Sequence, residues 1–125
     1  MDSKTAFNFI NKLLEQTKNQ KIKWESTRNS STHILLSNPT YYYVATTRQG
    51  EILLGKNSYN TNEIHLYITP ISGMVPGATY DLSDFISWYN KENTQKYKEC
   101  LKELFEFVYN SLPNPDSFID SFLDE

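Results

Sequence analysis

The sequence is poor in the residues that build disulfide frameworks, metal centres and nucleotide sites. It has one cysteine, Cys100, which excludes an internal disulfide framework and suits a reducing compartment. Its two histidines, His33 and His65, show no His-x-x-x-His spacing, and no Cys-x-x-Cys pair is present, so we expect no metal site. The four glycines form no phosphate-binding loop, and we expect no nucleotide or other cofactor.

Long apolar runs are also missing. No stretch approaches the roughly 20 apolar residues that a membrane-spanning helix needs. No signal-peptide core follows the opening Met-Asp-Ser-Lys. We therefore expect a cytoplasmic protein that does not enter a membrane.

Motifs for catalysis are missing as well. There is no Gly-x-Ser-x-Gly elbow for a nucleophilic serine. Cys100 follows Glu99 on the flank of an apolar helical stripe, a setting typical of a structural thiol. Asp81 and Asp84 stand at a helix start, where capping explains both carboxylates without an acid/base pair. The sequence predicts no catalytic residue and does not indicate an enzyme, although a site assembled in space stays open.

The composition is that of a folded domain. Hydrophobic residues make up 38% of the chain and aromatic residues 14%, whereas disordered chains have few aromatics. A chain of 125 residues is long enough to bury a core and suits one domain, residues 1–125.

The first pattern is helical. Apolar residues recur at three- and four-residue steps over residues 3–18, which predicts an amphipathic core helix. Asp2 or Ser3 can cap its first turn. Phe9 lies off the main stripe, so we expect it to reach a second contact.

A strand pattern follows the helix. Ile22 and Trp24 share one side of Lys21–Thr27, which predicts the first strand, with Trp24 as an anchor between helix and sheet. Thr32–Ser37 is either a second short strand or a loop.

The central segment, Tyr41–Lys56, has the pattern of a β-hairpin. Gln49-Gly50 is the predicted two-residue turn because glycine accepts positive φ, and Arg48 then faces Glu51. One predicted face carries Tyr43, Ala45, Ile52 and Leu54, and the other carries Tyr42, Val44, Leu53 and Arg48. Glu63–Thr69 alternates between apolar and polar residues, which predicts a half-buried antiparallel strand.

Helical patterns dominate the rest of the chain. Pro70–Thr79, with prolines and glycines spread through it, predicts an irregular connection to a helix that Asp81 or Ser83 caps. The stripe of that helix is Leu82, Phe85, Ile86 and Tyr89. The longest helix is predicted from Thr94 to Leu112, with an inner face of Tyr97, Leu101, Leu104, Phe105 and Val108.

A short final helix is predicted after Pro113. Asn114-Pro115 supplies a cap followed by a first-turn proline. Its strong apolar side consists of Phe118, Ile119, Phe122 and Leu123. We expect this side to bury against the body of the domain, with an intermolecular contact as the alternative.

These patterns together predict an α+β fold. An N-terminal helix precedes an antiparallel β-meander of four to five strands, and two to three C-terminal helices pack on one sheet face.

Charge is distributed unevenly along the chain. Residues 1–28 hold six Lys or Arg and three Asp or Glu, whereas residues 99–125 hold one Lys and seven Asp or Glu. Either the end helices pack together and their charges offset, or the bipolar surface steers a partner or drives head-to-tail self-association.

A tyrosine-bearing sheet face is the candidate interaction surface. Its residues are Tyr42, Arg48, His65 and Tyr67. Such a face could stack nucleic-acid bases, but the net charge of −3 and the scattered basic residues argue against nucleic acid.

Three functions follow as hypotheses. The first is a non-enzymatic protein-interaction module, phage- or defence-related, with an unidentified protein partner and a homodimer as an alternative. The second is a small-ligand sensor or enzyme with a pocket between the sheet and the 70–80 connection. The third is nucleic-acid binding through the sheet face.

One pattern resembles a known group. Thr17-Lys-Asn-Gln-Lys-Ile-Lys-Trp24 is similar to the T-K-x-G-K-I-x-W that follows the first helix in small uncharacterised proteins of low-GC Gram-positive bacteria and their prophages, with Gln20 in place of glycine. Those proteins also often end like Pro113–Leu123. The resemblance implies a cytoplasmic α+β domain carried by a mobile element, and it transfers no catalytic residue.

Overall fold

The computed structural model describes residues 1–26, 39–57, 63–86 and 90–125. An N-terminal helix comes first along the chain, the strands of the sheet follow, and the remaining helices come last. These elements are α1 (Ser3–Lys18), β1 (Trp24–Ser26), β2 (Pro39–Thr47), β3 (Gly50–Asn57), β4 (Ile64–Ser72), β5 (Val75–Pro76), β6 (Tyr80–Asp81), a 3₁₀ helix (Leu82–Phe85), α2 (Lys91–Ser111) and α3 (Pro115–Leu123). The predicted α+β class is confirmed.

The sheet is antiparallel, and β1, β2, β3 and β4 lie side by side in chain order. Both β5 and β6 pair with β4 at different positions along that strand. The described residues therefore form six strands, more than the four to five predicted, because the chain after residue 70 adds two short ones.

The central hairpin has the predicted faces but a different register. Thr47 pairs with Gly50, so the turn residues are Arg48 and Gln49, and the predicted Gln49-Gly50 turn is wrong. The Thr47 hydroxyl closes this turn: it accepts from the Gln49 N–H at 3.2 Å and donates to the Gly50 carbonyl at 2.9 Å. The correction leaves both faces intact because it moves the pairing by two residues, which is one full side-chain repeat.

The first strand begins later than predicted. Strand β1 (Trp24–Ser26) begins at Trp24 rather than at the predicted Lys21, since the chain must first leave α1 through Gln20, whose φ is 60°. That left-handed conformation favours glycine. The predicted last residue, Thr27, lies outside the described residues. Trp24 is the anchor that we predicted: it is buried, and its indole N–H donates to the Thr17 hydroxyl at 3.1 Å. The segment Thr32–Ser37 lies outside the described residues.

The core lies between one sheet face and the two long helices. Helix α1 begins after the Asp2 cap and buries four residues of the predicted stripe, Ala6, Ile10, Leu13 and Thr17. The largest fully buried side chains of the core are Ile10, Leu54, Leu66, Leu82, Leu104 and Val108. Helix α1 also packs against α2, where Lys18 pairs with Glu103. One ion pair between the basic and the acidic end segments thus lies at this contact.

The segment Pro70–Thr79 is more regular than predicted. Strand β4 continues through it to Ser72 and turns at Gly73-Met74 into β5. The Gly77 N–H then donates to the Pro70 carbonyl at 2.6 Å. The predicted helix after Asp81 is one short 3₁₀ helix within the described residues, and Tyr89 lies outside them.

Helix α2 begins three residues before the predicted Thr94, at Lys91, because the Asn90 side chain caps it by accepting the Asn93 N–H at 3.2 Å. Its five predicted inner-face residues are all buried. Helix α3 starts at the predicted Asn114 cap, where the Asn114 and Ser117 side chains form a reciprocal capping box.

Candidate functional site

The predicted sheet-face surface is brought together only in part. Register places Tyr42, Gly55 and His65 side by side across three strands, and Tyr67 lies on the same face two residues further along. The side chain of Tyr42 lies outside what the structure describes. Arg48 is exposed in the β2–β3 turn, roughly 20 Å along the strand from Tyr42 at about 3.3 Å per residue. The structure thus assembles His65 and Tyr67 but leaves Arg48 away from them.

His65 is the centre of an electrostatic cluster on this face. Its ring stacks on Tyr67, with centroids 5.9 Å apart. Its Nε2 lies 3.3 Å from Glu63 Oε1 and its Nδ1 lies 3.7 Å from Asp81 Oδ2. Asp81 is held in place because its other oxygen, Oδ1, accepts the Ser83 N–H at 2.9 Å.

These contacts shift the pKa of both ionisable partners. Interaction with the Asp81 carboxylate raises the pKa of His65, partial burial opposes that rise, and the Glu63 charge adds to it. Burial would raise the pKa of Asp81, but its interactions with His65 and Ser83 outweigh burial and lower it. Both imidazole nitrogens therefore face carboxylates, which favours the charged ring and makes His65 a poor general base.

A cavity of about 840 Å³ adjoins the cluster, between the start of β4, the 3₁₀ helix and α2. Its aromatic lining comes from Tyr97 and Phe105 together with His65, and lysines and glutamates of α2 surround them. The predicted pocket beside residues 70–80 is not this one, because no residue of that connection lines the cavity. Among the described residues, no group of three His, Cys, Asp or Glu side chains is placed to hold a metal ion.

The His65 cluster predicts a pH-dependent contribution to stability. The folded-state pKa of His65 lies above its ordinary 6.5, so this contribution is complete below about pH 6.5 and is lost as the pH rises through the raised pKa. We expect His65→Gln to cost about 0.5–1 kcal/mol more near pH 5.5 than near pH 8.5. Urea unfolding of both proteins at the two pH values measures the difference. Equal losses at both would show that the imidazole charge contributes nothing.

Among the described residues, the largest group of exposed apolar side chains on one element lies elsewhere, on α3. We call Phe118, Ile119, Phe122 and Leu123 the α3 face. Their side chains are 69%, 51%, 66% and 73% exposed, and no α3 residue is buried. The rings of Phe118 and Phe122 stack with centroids 6.2 Å apart. The prediction that this face packs against the body of the domain is wrong.

Helix α3 is attached through its first turn rather than through its apolar side. The Tyr109 hydroxyl donates to Asp116 at 2.5 Å, and the Asn114 amide donates to the backbone carbonyls of Tyr109 and Leu112. These bonds fix the helix N-terminus at the end of α2. The α3 face consequently stays in solvent on an ordered, capped helix.

A second apolar surface lies between α1 and the far end of the sheet. This α1 groove encloses about 390 Å³. Its apolar lining is Phe9, Leu13, Ile22, Ile52, Ile68 and Pro70. Phe9 thereby finds the second contact expected from its position off the helical stripe. The sequence could not show the groove as a unit, because its walls come from four separated segments.

No described helix has the length and apolarity to cross a membrane. In comparisons with protein-family models, with curated proteins and with solved structures, nothing matches this chain.

Proposed function

We propose that the protein is a non-enzymatic interaction module that binds a partner protein through the α3 face. The observation that carries the proposal is the solvent exposure of four adjacent apolar side chains on one ordered helix. Contiguous apolar patches on a protein surface mark interaction sites. The cytoplasmic setting and the bacterial or prophage origin belong to the same proposal.

The shape of the α3 face suits helix-in-groove recognition. In that mode an amphipathic helix lays apolar residues spaced three and four apart into a hydrophobic groove. Phe118 and Phe122 have this spacing, and Ile119 and Leu123 repeat it one residue later. The capping box already orders the helix, which reduces the conformational entropy lost on binding.

The charges on and just after α3 indicate which charge the binding surface of the partner should carry. Asp116, Asp120, Asp124 and Glu125 are acidic, and no Lys or Arg follows Lys102 in the sequence. An apolar groove with a basic rim is the complementary surface. Nucleic acid fits this chemistry poorly, because acidic side chains accompany both the α3 face and the His65 cluster.

A small-ligand site is the second candidate function. The 840 Å³ cavity is within the size range of ligand pockets and has His65 in its wall. A ligand held there would contact the His65 ring, whose pKa the neighbouring carboxylates of Asp81 and Glu63 raise. A thermal-shift screen comparing the wild type with His65→Gln tests it, and hits that shift both proteins equally would place binding elsewhere.

Affinity capture tests the interaction module. Tagged wild type, Phe118→Asp/Phe122→Asp and Met74→Asp/Val75→Asp would be used with nuclease-treated, high-salt lysate of a Gram-positive host that also contains untagged copies of the chain. The third protein is the matched control, because Met74 and Val75 are exposed apolar residues away from α3.

We expect one protein to be captured in stoichiometric amount by the wild type and by the Met74→Asp/Val75→Asp control. Capture should fall at least about tenfold with the α3 variant, since buried aromatic anchors dominate interface energies. Equal capture by all three proteins, or capture by none, would contradict the proposed function.

A further inference from the structure

We propose that the partner of the α3 face is a second copy of this chain, which receives Phe118 and Phe122 in its α1 groove. This inference rests on the proposed function and names the partner of the same site. Its basis is that the α1 groove has the apolar lining and the basic rim that the α3 face requires.

The groove matches the α3 face in apolarity and in size. The lining consists mainly of aliphatic and aromatic side chains, and Phe9 supplies an aromatic contact. A volume of about 390 Å³ is at the lower end of the roughly 300–1,000 Å³ found for ligand pockets. Such a space suits one or two inserted aromatic rings rather than a whole helix.

The groove also matches the α3 face in charge. Lys12 lines it, Lys21 and Lys23 flank the lining residue Ile22, and Arg48 lies between the lining residues Thr47 and Gln49. These four cations are exposed. On the acidic side, Glu51 lines the groove and Glu15 precedes the lining residue Gln16. The lining residues and their sequence neighbours thus carry four cations against two anions, whereas both charged side chains of α3, Asp116 and Asp120, are acidic.

The occupant must come from another molecule in the arrangement that the structure shows. No α3 residue lines the groove of its own chain, and neither does any residue of α2. The bond between Tyr109 and Asp116 keeps α3 at the end of α2. The two complementary surfaces thus lie apart on one molecule, which is the arrangement that produces contacts between copies.

The contact area predicts a weak association. Aromatic side chains bury roughly 150–250 Å² each, so the α3 face can bury several hundred Å². Stable interfaces bury roughly 1,200–2,000 Å² in total. A single contact is therefore expected to form in the micromolar range, and a reciprocal exchange of α3 between two copies would double the area.

Sedimentation velocity of the full chain tests the inference, over concentrations from about 5 to about 500 µM. We expect the average mass to rise with concentration for the wild type and for the Met74→Asp/Val75→Asp control. Phe118→Asp/Phe122→Asp should weaken self-association at least about tenfold.

Two further variants with reversed charges test the same contact without changing its apolar residues. Lys12→Glu/Lys21→Glu makes the groove rim acidic, and Asp120→Lys/Asp124→Lys/Glu125→Lys makes residues 116–125 net basic. All five residues are exposed, so both variants are expected to fold. Each variant alone should self-associate less than the wild type. An equimolar mixture should regain association, because the acidic helix of the rim variant matches the basic groove of the α3 variant and the basic helix of the α3 variant matches the acidic groove of the rim variant.

Several results would overturn the inference. A constant monomer mass at all concentrations would do so, as would self-association that survives the α3 substitutions or a mixture that shows no recovery. A monomer that loses stability with Phe118→Asp/Phe122→Asp would instead place α3 in its own groove. If the chain stays monomeric while α3-dependent capture of another protein persists, the proposed function stands and only this inference fails.

Discussion

Leu104→Ala is expected to lower the free energy of unfolding by about 2–5 kcal/mol, whereas Phe122→Ala should change it by less than about 0.5 kcal/mol. Leu104 is fully buried where α2 meets the core. Its truncation removes apolar contacts and leaves a cavity that rigid neighbours fill only in part. Phe122 is 66% exposed, so shortening it leaves the folded monomer nearly unchanged.

Chemical denaturation at low protein concentration measures both changes, since dilution keeps association out of the result. The comparison separates packing within the chain from docking between chains. A loss of more than about 1 kcal/mol for Phe122→Ala would mean that α3 packs against its own domain. That outcome would contradict the proposed function together with the exposure of the α3 face.

Gly50→Ala is expected to cost about 3 kcal/mol or more. Gly50 has a φ of +149°, a conformation that L side chains rarely adopt. A methyl group there would lie 2.1 Å from the carbonyl oxygen of Thr69 and 3.0 Å from the Ile71 nitrogen. Both contacts are with backbone of β4, so the β3–β4 pairing itself would have to shift.

Gly73→Ala is the matched control for this substitution. Gly73 also has positive φ, at 64°, but nothing lies within 4 Å of the position that a Cβ would take. Only backbone strain of about 1 kcal/mol is expected there. Thermal unfolding of both variants should therefore show a much larger loss for Gly50→Ala, and equal losses would mean that the close approach to Thr69 is relieved without cost.

The helices could be predicted from the sequence because their patterns are local. The α2 inner face, from Tyr97 to Val108, was predicted in full, since side-chain periodicity and burial coincide when a helix packs on a core. The caps at Asp2 and Asn114 were also predicted, because a cap depends on residues three positions apart.

The register of the β2–β3 hairpin and the exposure of the α3 face depend on contacts between distant segments, which local sequence patterns do not reveal. The turn at Arg48-Gln49 is fixed by the Thr47 hydroxyl and by the close approach of Gly50 to β4, a strand that follows later in the chain. The apolar pattern of α3 predicted that this face is covered, but it does not indicate whether the same chain or another molecule covers it.

The candidate site could be predicted only residue by residue. His65 and Tyr67 were placed together because they are two apart on one strand. The meeting of His65 with Asp81 depends on the pairing of β6 with β4, and the sequence had predicted Asp81 only as a candidate helix cap. The α1 groove was missed for the same reason: Pro70 and Phe9 are brought together only by the tertiary fold.

The packing of α1 on α2 also sets the timing of folding on the ribosome. The Cys100 thiol contacts Asn11 across 89 residues of chain, at 3.6 Å. At roughly 5–20 residues per second, α2 leaves the ribosome about 5–20 s after α1. During that interval the side of α1 that packs against α2 lacks this native neighbour and is open to chaperones and to other nascent chains. The domain therefore completes its core only when α2 has been synthesised.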